Sequence, residues 1–171
     1  MTSCMTWLVP AAGPERERLT GAIGRLAAEH GGPVFAPHVT LVDAFDGEAA
    51  AVAAALGRLV AGVPPFDVTL AGFGHEPAFF RALYLRAEPS ARLAALHEAG
   101  ERTWRLTGRP PYRPHLSLLY SDLPEERKPA LIGAVGLDLP VTIRIDAAEL
   151  WVDFREPVTG WRRVARVPLA G

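Results

Sequence analysis

Two stretches of this 171-residue chain echo one another: Pro37-His38-Val39-Thr40-Leu41-Val42 and Pro114-His115-Leu116-Ser117-Leu118-Leu119. Each reads proline, histidine, aliphatic, hydroxyl, aliphatic, aliphatic. The alternation predicts a strand, in which residues two apart share a face and stand about 6.5–7 Å apart. His38 and Thr40 therefore project together, as do His115 and Ser117. Val39 and Leu41, like Leu116 and Leu118, point the other way into a core. A lone strand histidine is ordinarily structural. Two of them, each beside a hydroxyl and in matching places, predict a groove lined by two imidazoles and two hydroxyls.

The 77-residue offset between His38 and His115 also carries Trp7 to Tyr84, Leu19 to Leu96, Gly31 to Gly108, Pro33 to Pro110 and Pro37 to Pro114. Several matches in register without a gap predict a structural repeat of strand, helix, strand, helix and strand. In the first copy, residues 5–10 read as a strand and Pro14 opens a helix. Leu19, Ile23, Leu26 and Ala27 form that helix's buried stripe, and Gly31-Gly32 stops it. Residues 38–43 read as the second strand and Asp46 as the N-cap of a helix with Val52, Leu56, Leu59 and Val60. Phe66, Val68 and Leu70 mark a half-buried third strand. In the second copy, residues 78–87 read as a strand, and Pro89 opens a helix bearing Leu93, Leu96, His97, Gly100 and Trp104, closed by Gly108. A strand over 112–120, a helix over 123–135 interrupted by Pro129, and strands over 140–153 and 161–169 complete it. Lobes of about 80 residues are too small for comfortable separate cores, so residues 1–77 and 78–171 should pack as one bilobal domain, with strand exchange between them allowed.

Composition bounds the partners. The chain is 49% hydrophobic and 22% charged, with a formal net charge of −1, so no overall positive field favours long nucleic acid. Lys128 is its only lysine, and Cys4, its only cysteine, excludes an internal disulfide. No signal peptide or membrane span is read, and a reducing cytoplasm is expected. A monomer is expected as well.

The paired motif suits a phosphodiester. Opening a cyclic phosphate with water needs a base for the water proton and an acid for the leaving sugar oxygen. Histidine does either near neutral pH. Thr40 and Ser117 are placed to donate hydrogen bonds to the charged phosphoryl oxygens. The scheme requires neither metal nor cofactor, and no carboxylate or third histidine accompanies either motif as a metal ligand. His30, at a helix end, His75, in a turn, and His97, on an apolar helix face, read as structural. Nucleotide-binding glycine loops and other hydrolase motifs are absent.

These motifs resemble the 2H phosphoesterase superfamily, and most of all its cyclic nucleotide phosphodiesterases acting on ADP-ribose 1″,2″-cyclic phosphate. Trp7-Leu8-Val9-Pro10, Pro33 to Thr40 and Tyr112 to Tyr120 carry the resemblance. It implies an α+β fold with two antiparallel sheets facing across a central groove and helices outside. It also implies metal-independent conversion of a nucleoside 2′,3′-cyclic phosphate to a 2′-phosphate. His38, Thr40, His115 and Ser117 match the active-site quartet; Trp7, Phe80 and Tyr120 match aromatic positions lining the groove. Cys4 matches no cysteine of the plant enzymes, so redox regulation is not carried over. Two rival readings are RNA end processing of the 2′-5′ RNA ligase type, disfavoured by the charge balance, and a nucleotide-binding module without chemistry.

Overall fold

A computed structural model describes residues 1–171. The chain runs β1 (Thr2–Pro10), α1 (Pro14–His30), β2 (Val39–Gly47), α2 (Ala49–Leu59), β3 (Phe66–Gly74), β4 (Leu83–Ala87), α3 (Ala91–Thr103), β5 (His115–Leu119), α4 (Lys128–Ala134), β6 (Val141–Val152) and β7 (Arg162–Pro168). It is an α+β protein whose strands are all antiparallel, in the order β1-β2-β5-β4-β3-β6-β7, closed into a barrel by β1 against β6.

The long strand β6 joins two halves. Its Val141–Ile145 end pairs with β3, and its Ile145–Val152 end pairs with β1 and, on the other edge, β7. One half is thus β2-β1-β6-β7 and the other β5-β4-β3-β6. Across the barrel, β2 and β5 meet only at Val39 and Leu116. The register carries the 77-residue repeat: Trp7 stands opposite Thr40 and Leu8 opposite Val39, while Tyr84 stands opposite Ser117 and Leu85 opposite Leu116. Val39 and Leu116 are themselves repeat partners, so the pseudo-two-fold axis passes beside them, and His38 and His115 flank it. The third strand of the first copy, β3, pairs with β4 and β6, not with β1 or β2.

One cluster of 35 buried residues runs through both halves. Helix α1 packs on β5 and β6, and α3 on β2 and α2. Pro14 lies in the first turn of α1, where no backbone N–H is needed, and Gly31 ends that helix at φ 68°.

Several boundaries differ from expectation. Asp46 does not cap α2: β2 runs on to Gly47 because Ser3 and Thr2 of β1 pair with Asp46 and Gly47. Glu48 is the cap instead, its carboxylate accepting from the N–H groups of Ala50 and Ala51. Residues 79–81 form a 3₁₀ turn and the strand starts at Leu83, because Glu76 N–H donates to the Arg81 carbonyl and folds this connection back. Helix α3 starts after Ser90, whose hydroxyl caps Leu93 N–H, and ends at Thr103, well short of Gly108. Pro129 opens α4 instead of interrupting a longer helix. Strand β5 covers only five of the residues expected over 112–120.

Candidate active site

His38 immediately precedes β2 and His115 is the first residue of β5, so both imidazoles emerge where β2 and β5 come together at Val39 and Leu116. They open on one cavity of about 580 Å³, which Thr40 and Ser117 also line. The structure therefore brings the four side chains to a single concavity. His115 is close enough for its charge to disfavour protonation of His38.

Each ring is fixed by the same local bond. His38 Nδ1 lies 2.7 Å from the Ala36 carbonyl oxygen, and His115 Nδ1 lies 2.8 Å from that of Arg113. A carbonyl only accepts, so Nδ1 carries the proton in both rings. That leaves each Nε2 as the nitrogen that exchanges a proton: lone pair when neutral, N–H when charged.

The surroundings of the two rings differ. His38 is 5% exposed and lies face to face with Trp7, centroids 3.5 Å apart and planes 7° apart. Its burial, reinforced by the charge of His115 and only partly offset by the Ala36 bond, lowers its pKa to about 4. His115 is less enclosed and meets Tyr84 edge-on at 5.0 Å. Burial lowers its pKa too, with the Arg113 carbonyl and Glu76 acting against that and Arg81 and Arg113 adding to it. Gly74, opposite Tyr84 in the ladder, makes this arrangement possible: a Cβ there would stand 2.5 Å from the Tyr84 ring.

The hydroxyls differ as well. Thr40 Oγ1 has only the Met5 sulfur, 4.0 Å away, and is free to donate into the cavity. Ser117 Oγ donates to the Phe80 carbonyl at 3.1 Å.

Of the aromatic residues expected to line the groove, Phe80 is 48% exposed on the cavity, and Tyr120 contributes to its wall while remaining buried. Burial raises the Tyr120 phenol's pKa, against the Ser117 hydroxyl. Trp7 is a correction. It is 1% exposed and absent from the cavity wall, because it lies behind His38, sandwiched between that ring and Trp151. It lies flat against the imidazole and does not line the cavity.

Sequence reasoning missed Phe154 and Trp161. They bracket the β6–β7 turn, lie with ring centroids 4.3 Å apart and planes tilted by 54°, and line the cavity beside Phe80. Two aromatics at either end of a polar turn were the available signal. It also missed Arg81 and Arg113 on the cavity wall, and His97. His97 stacks on Tyr112 at 3.9 Å, donates from Nδ1 to the Leu41 carbonyl at 2.7 Å, and also lines the cavity. His30 sits beside Glu29, and His75 pairs with Glu125, both away from the cavity wall. No group of three or more His, Cys, Asp and Glu side chains is arranged to hold a metal ion. No helix is long and apolar enough to cross a membrane.

A family model described as the 2′-5′ RNA ligase superfamily matches residues 9–156. The chain belongs to this superfamily. Its resemblance to the 2H phosphoesterases is thereby borne out, and both sequence motifs fall within the matched region. Among curated superfamily relatives, a cyclic phosphodiesterase of Arabidopsis thaliana is 27% identical over 122 residues, 71% of this chain and 67% of its own. Among solved structures, Escherichia coli LigT complexed with 3′-AMP superimposes with a TM-score of 0.64 over 99% of each chain, at 20% identity. A protein of Thermus thermophilus does so at 0.62 over 99% of this chain and 98% of its own, at 22% identity. These likenesses show that the superfamily fold is shared.

Proposed function

We propose that this superfamily member hydrolyses a cyclic phosphodiester on a small nucleotide, taking a nucleoside 2′,3′-cyclic phosphate to the 2′-phosphate. The observation that carries the reading is the convergence of two Nδ1-anchored histidines and two hydroxyls on one cavity. The Arabidopsis relative's name, cyclic phosphodiesterase, supports the reaction class, and the 3′-AMP bound to LigT supports a small nucleotide as ligand.

The different environments of the two rings support different roles for them. A ring whose pKa is about 4 is neutral at pH 7, and its Nε2 lone pair serves as base. His38 takes a proton from water as the water oxygen bonds to phosphorus. The bond from phosphorus to the 3′-oxygen breaks, and His115 Nε2 gives that oxygen its proton. His115 is the better acid because it is more open to solvent than His38. The bound phosphate anion further favours its charged form. Thr40 Oγ1 donates to a non-bridging oxygen, and Ser117 joins it by turning from the Phe80 carbonyl. Phe80, Phe154 and Trp161 offer the nucleobase a stacking wall.

The test is ³¹P NMR of adenosine 2′,3′-cyclic phosphate incubated with the protein in excess chelator. Appearance of the 2′-phosphate alone is expected. An RNA oligomer ending in the same cyclic group, run alongside, distinguishes end processing of RNA. Failure to open the ring on either substrate would refute the proposal and leave the nucleotide-binding reading.

A further inference from the structure

The two strands that carry the hydroxyls share a distortion. β1 pairs Trp7 with Thr40 but Thr6 with Val42, so Leu41 is an extra residue in β2. β4 pairs Tyr84 with Ser117 but Leu83 with Leu119, so Leu118 is an extra residue in β5. Leu41 and Leu118 are partners at the 77-residue offset. Each half of the repeat therefore places a bulge directly after its hydroxyl residue. A bulge re-aims the side chains beside it and takes backbone groups out of the ladder.

In β2 side chains take up those groups. β5 pairs with β2 only at Val39. Beyond it, the Tyr112 hydroxyl donates to the Thr40 carbonyl at 2.9 Å and His97 Nδ1 to the Leu41 carbonyl at 2.7 Å. Further along, Arg109 Nη2 donates to the Ala44 carbonyl at 2.9 Å. On the β1 side, Val42 N–H donates to the buried Thr6 hydroxyl at 3.2 Å. Tyr112 and His97 act as one plate, their rings stacked with planes 4° apart. Glu101, one turn further along α3, stands 3.4 Å from His97 Nε2. Burial pushes the Tyr112 phenol up, so it stays an O–H donor across the neutral range.

The other half has no such clamp. At the same offset Tyr112 corresponds to Phe35, His97 to Thr20 and Arg109 to Gly32. Phe35 and Gly32 have no side-chain donor, and the Thr20 hydroxyl donates to the Arg16 carbonyl within its own helix. The catalytic hydroxyls differ in the same sense. Ser117 Oγ is held by the Phe80 carbonyl, whereas Thr40 Oγ1 has only the Met5 sulfur, 4.0 Å away. A hydroxyl without a firm bond of its own keeps its aim only if its backbone is fixed, and a misplacement of about 1 Å can cost about 100-fold in rate.

We infer that Tyr112 and His97 are positioning residues for Thr40: by holding the carbonyls of Thr40 and Leu41 they fix the bulge that aims the Thr40 hydroxyl at the reacting phosphoryl group. The inference rests on the cyclic phosphodiesterase reading and adds two residues to its machinery.

A double-mutant cycle on adenosine 2′,3′-cyclic phosphate tests it, with folding checked by thermal unfolding. Tyr112→Phe keeps the ring and its stack and removes only the O–H. It should lower kcat by about tenfold with KM changed less than about twofold. In a Thr40→Ala background the same substitution should change kcat by less than about twofold, because there is no hydroxyl left to aim. In a Ser117→Ala background the tenfold loss should persist. His97→Phe keeps a ring on Tyr112 and removes the N–H; it should behave alike, and it carries the cycle if Tyr112→Phe does not fold. A loss as large with Thr40→Ala as without it, or one confined to KM, overturns the inference. So do undiminished kcat in both clamp variants and undiminished kcat in Thr40→Ala alone. If the wild type opens no ring, the cyclic phosphodiesterase reading itself has failed.

Discussion

Replacing His38 by glutamine should make the protein less sensitive to acid, and the size of the effect follows from the ring's surroundings. An imidazole with an ordinary pKa of 6.5 in the unfolded chain is held at about 4 in the folded one by burial against Trp7. Between those values the unfolded state binds a proton that the native state refuses. The stabilisation is therefore complete above about pH 6.5 and is lost as the pH falls toward 4, below which no more is lost. At about 1.4 kcal/mol per pH unit, the wild type forfeits about 2 kcal/mol through this residue between pH 7 and pH 5, and about 3 kcal/mol by pH 4. Urea unfolding at pH 7, 6 and 5 reads it directly, before most carboxylates titrate. Glutamine keeps a polar amide near the Ala36 carbonyl and has no titration of its own. The variant should lose about 2 kcal/mol less than the wild type over that range. Parallel losses in the two proteins would mean that the ring is not held neutral, and the assignment of His38 as base would go with it.

Three other outcomes follow from the same geometry. The profile of kcat/KM against pH should be a bell displaced to acid, rising through about pH 4 as His38 loses its proton and falling again below pH 6.5 as His115 loses its own; a maximum above pH 7 would contradict this. Trp7→Ala should destabilise by about 3–5 kcal/mol in chemical denaturation, and should also depress kcat in the fraction that folds, because it removes the plate that orients His38. Trp161→Ala should raise KM for a cyclic nucleotide by about fivefold or more with little change in kcat, as loss of base stacking would, and an unchanged KM would remove Trp161 from the binding wall.

The parts of this site that could be read from sequence are those encoded by local spacing. A histidine and a hydroxyl two residues apart share a face in any strand, and the offset relating the two motifs reappears as the ladder pairings Trp7–Thr40 and Tyr84–Ser117. Features decided by distant partners were not legible. Asp46 looks like a cap because its local chemistry suits one, but pairing with Ser3 draws it into β2. Trp7 reads as a groove aromatic through the family resemblance, yet Trp151, from the far end of the chain, covers its other face. Phe154 and Trp161 reach the cavity because they flank the turn that follows β6, which spans both halves of the barrel, and Arg81 because the β3–β4 connection folds back on Glu76. Those are tertiary facts, without a period or a motif to announce them.

The pairing of the two imidazoles is tested most directly by the single-turnover rate of ring opening in wild type, His38→Ala, His115→Ala and the double variant, with folding checked by circular dichroism. If the rings act as one acid–base unit on one phosphorus, each single variant falls by about 100-fold or more, and the double falls little further than the worse single. A single variant that keeps more than about a tenth of the wild-type rate, or a double whose loss is the product of the two, would contradict it.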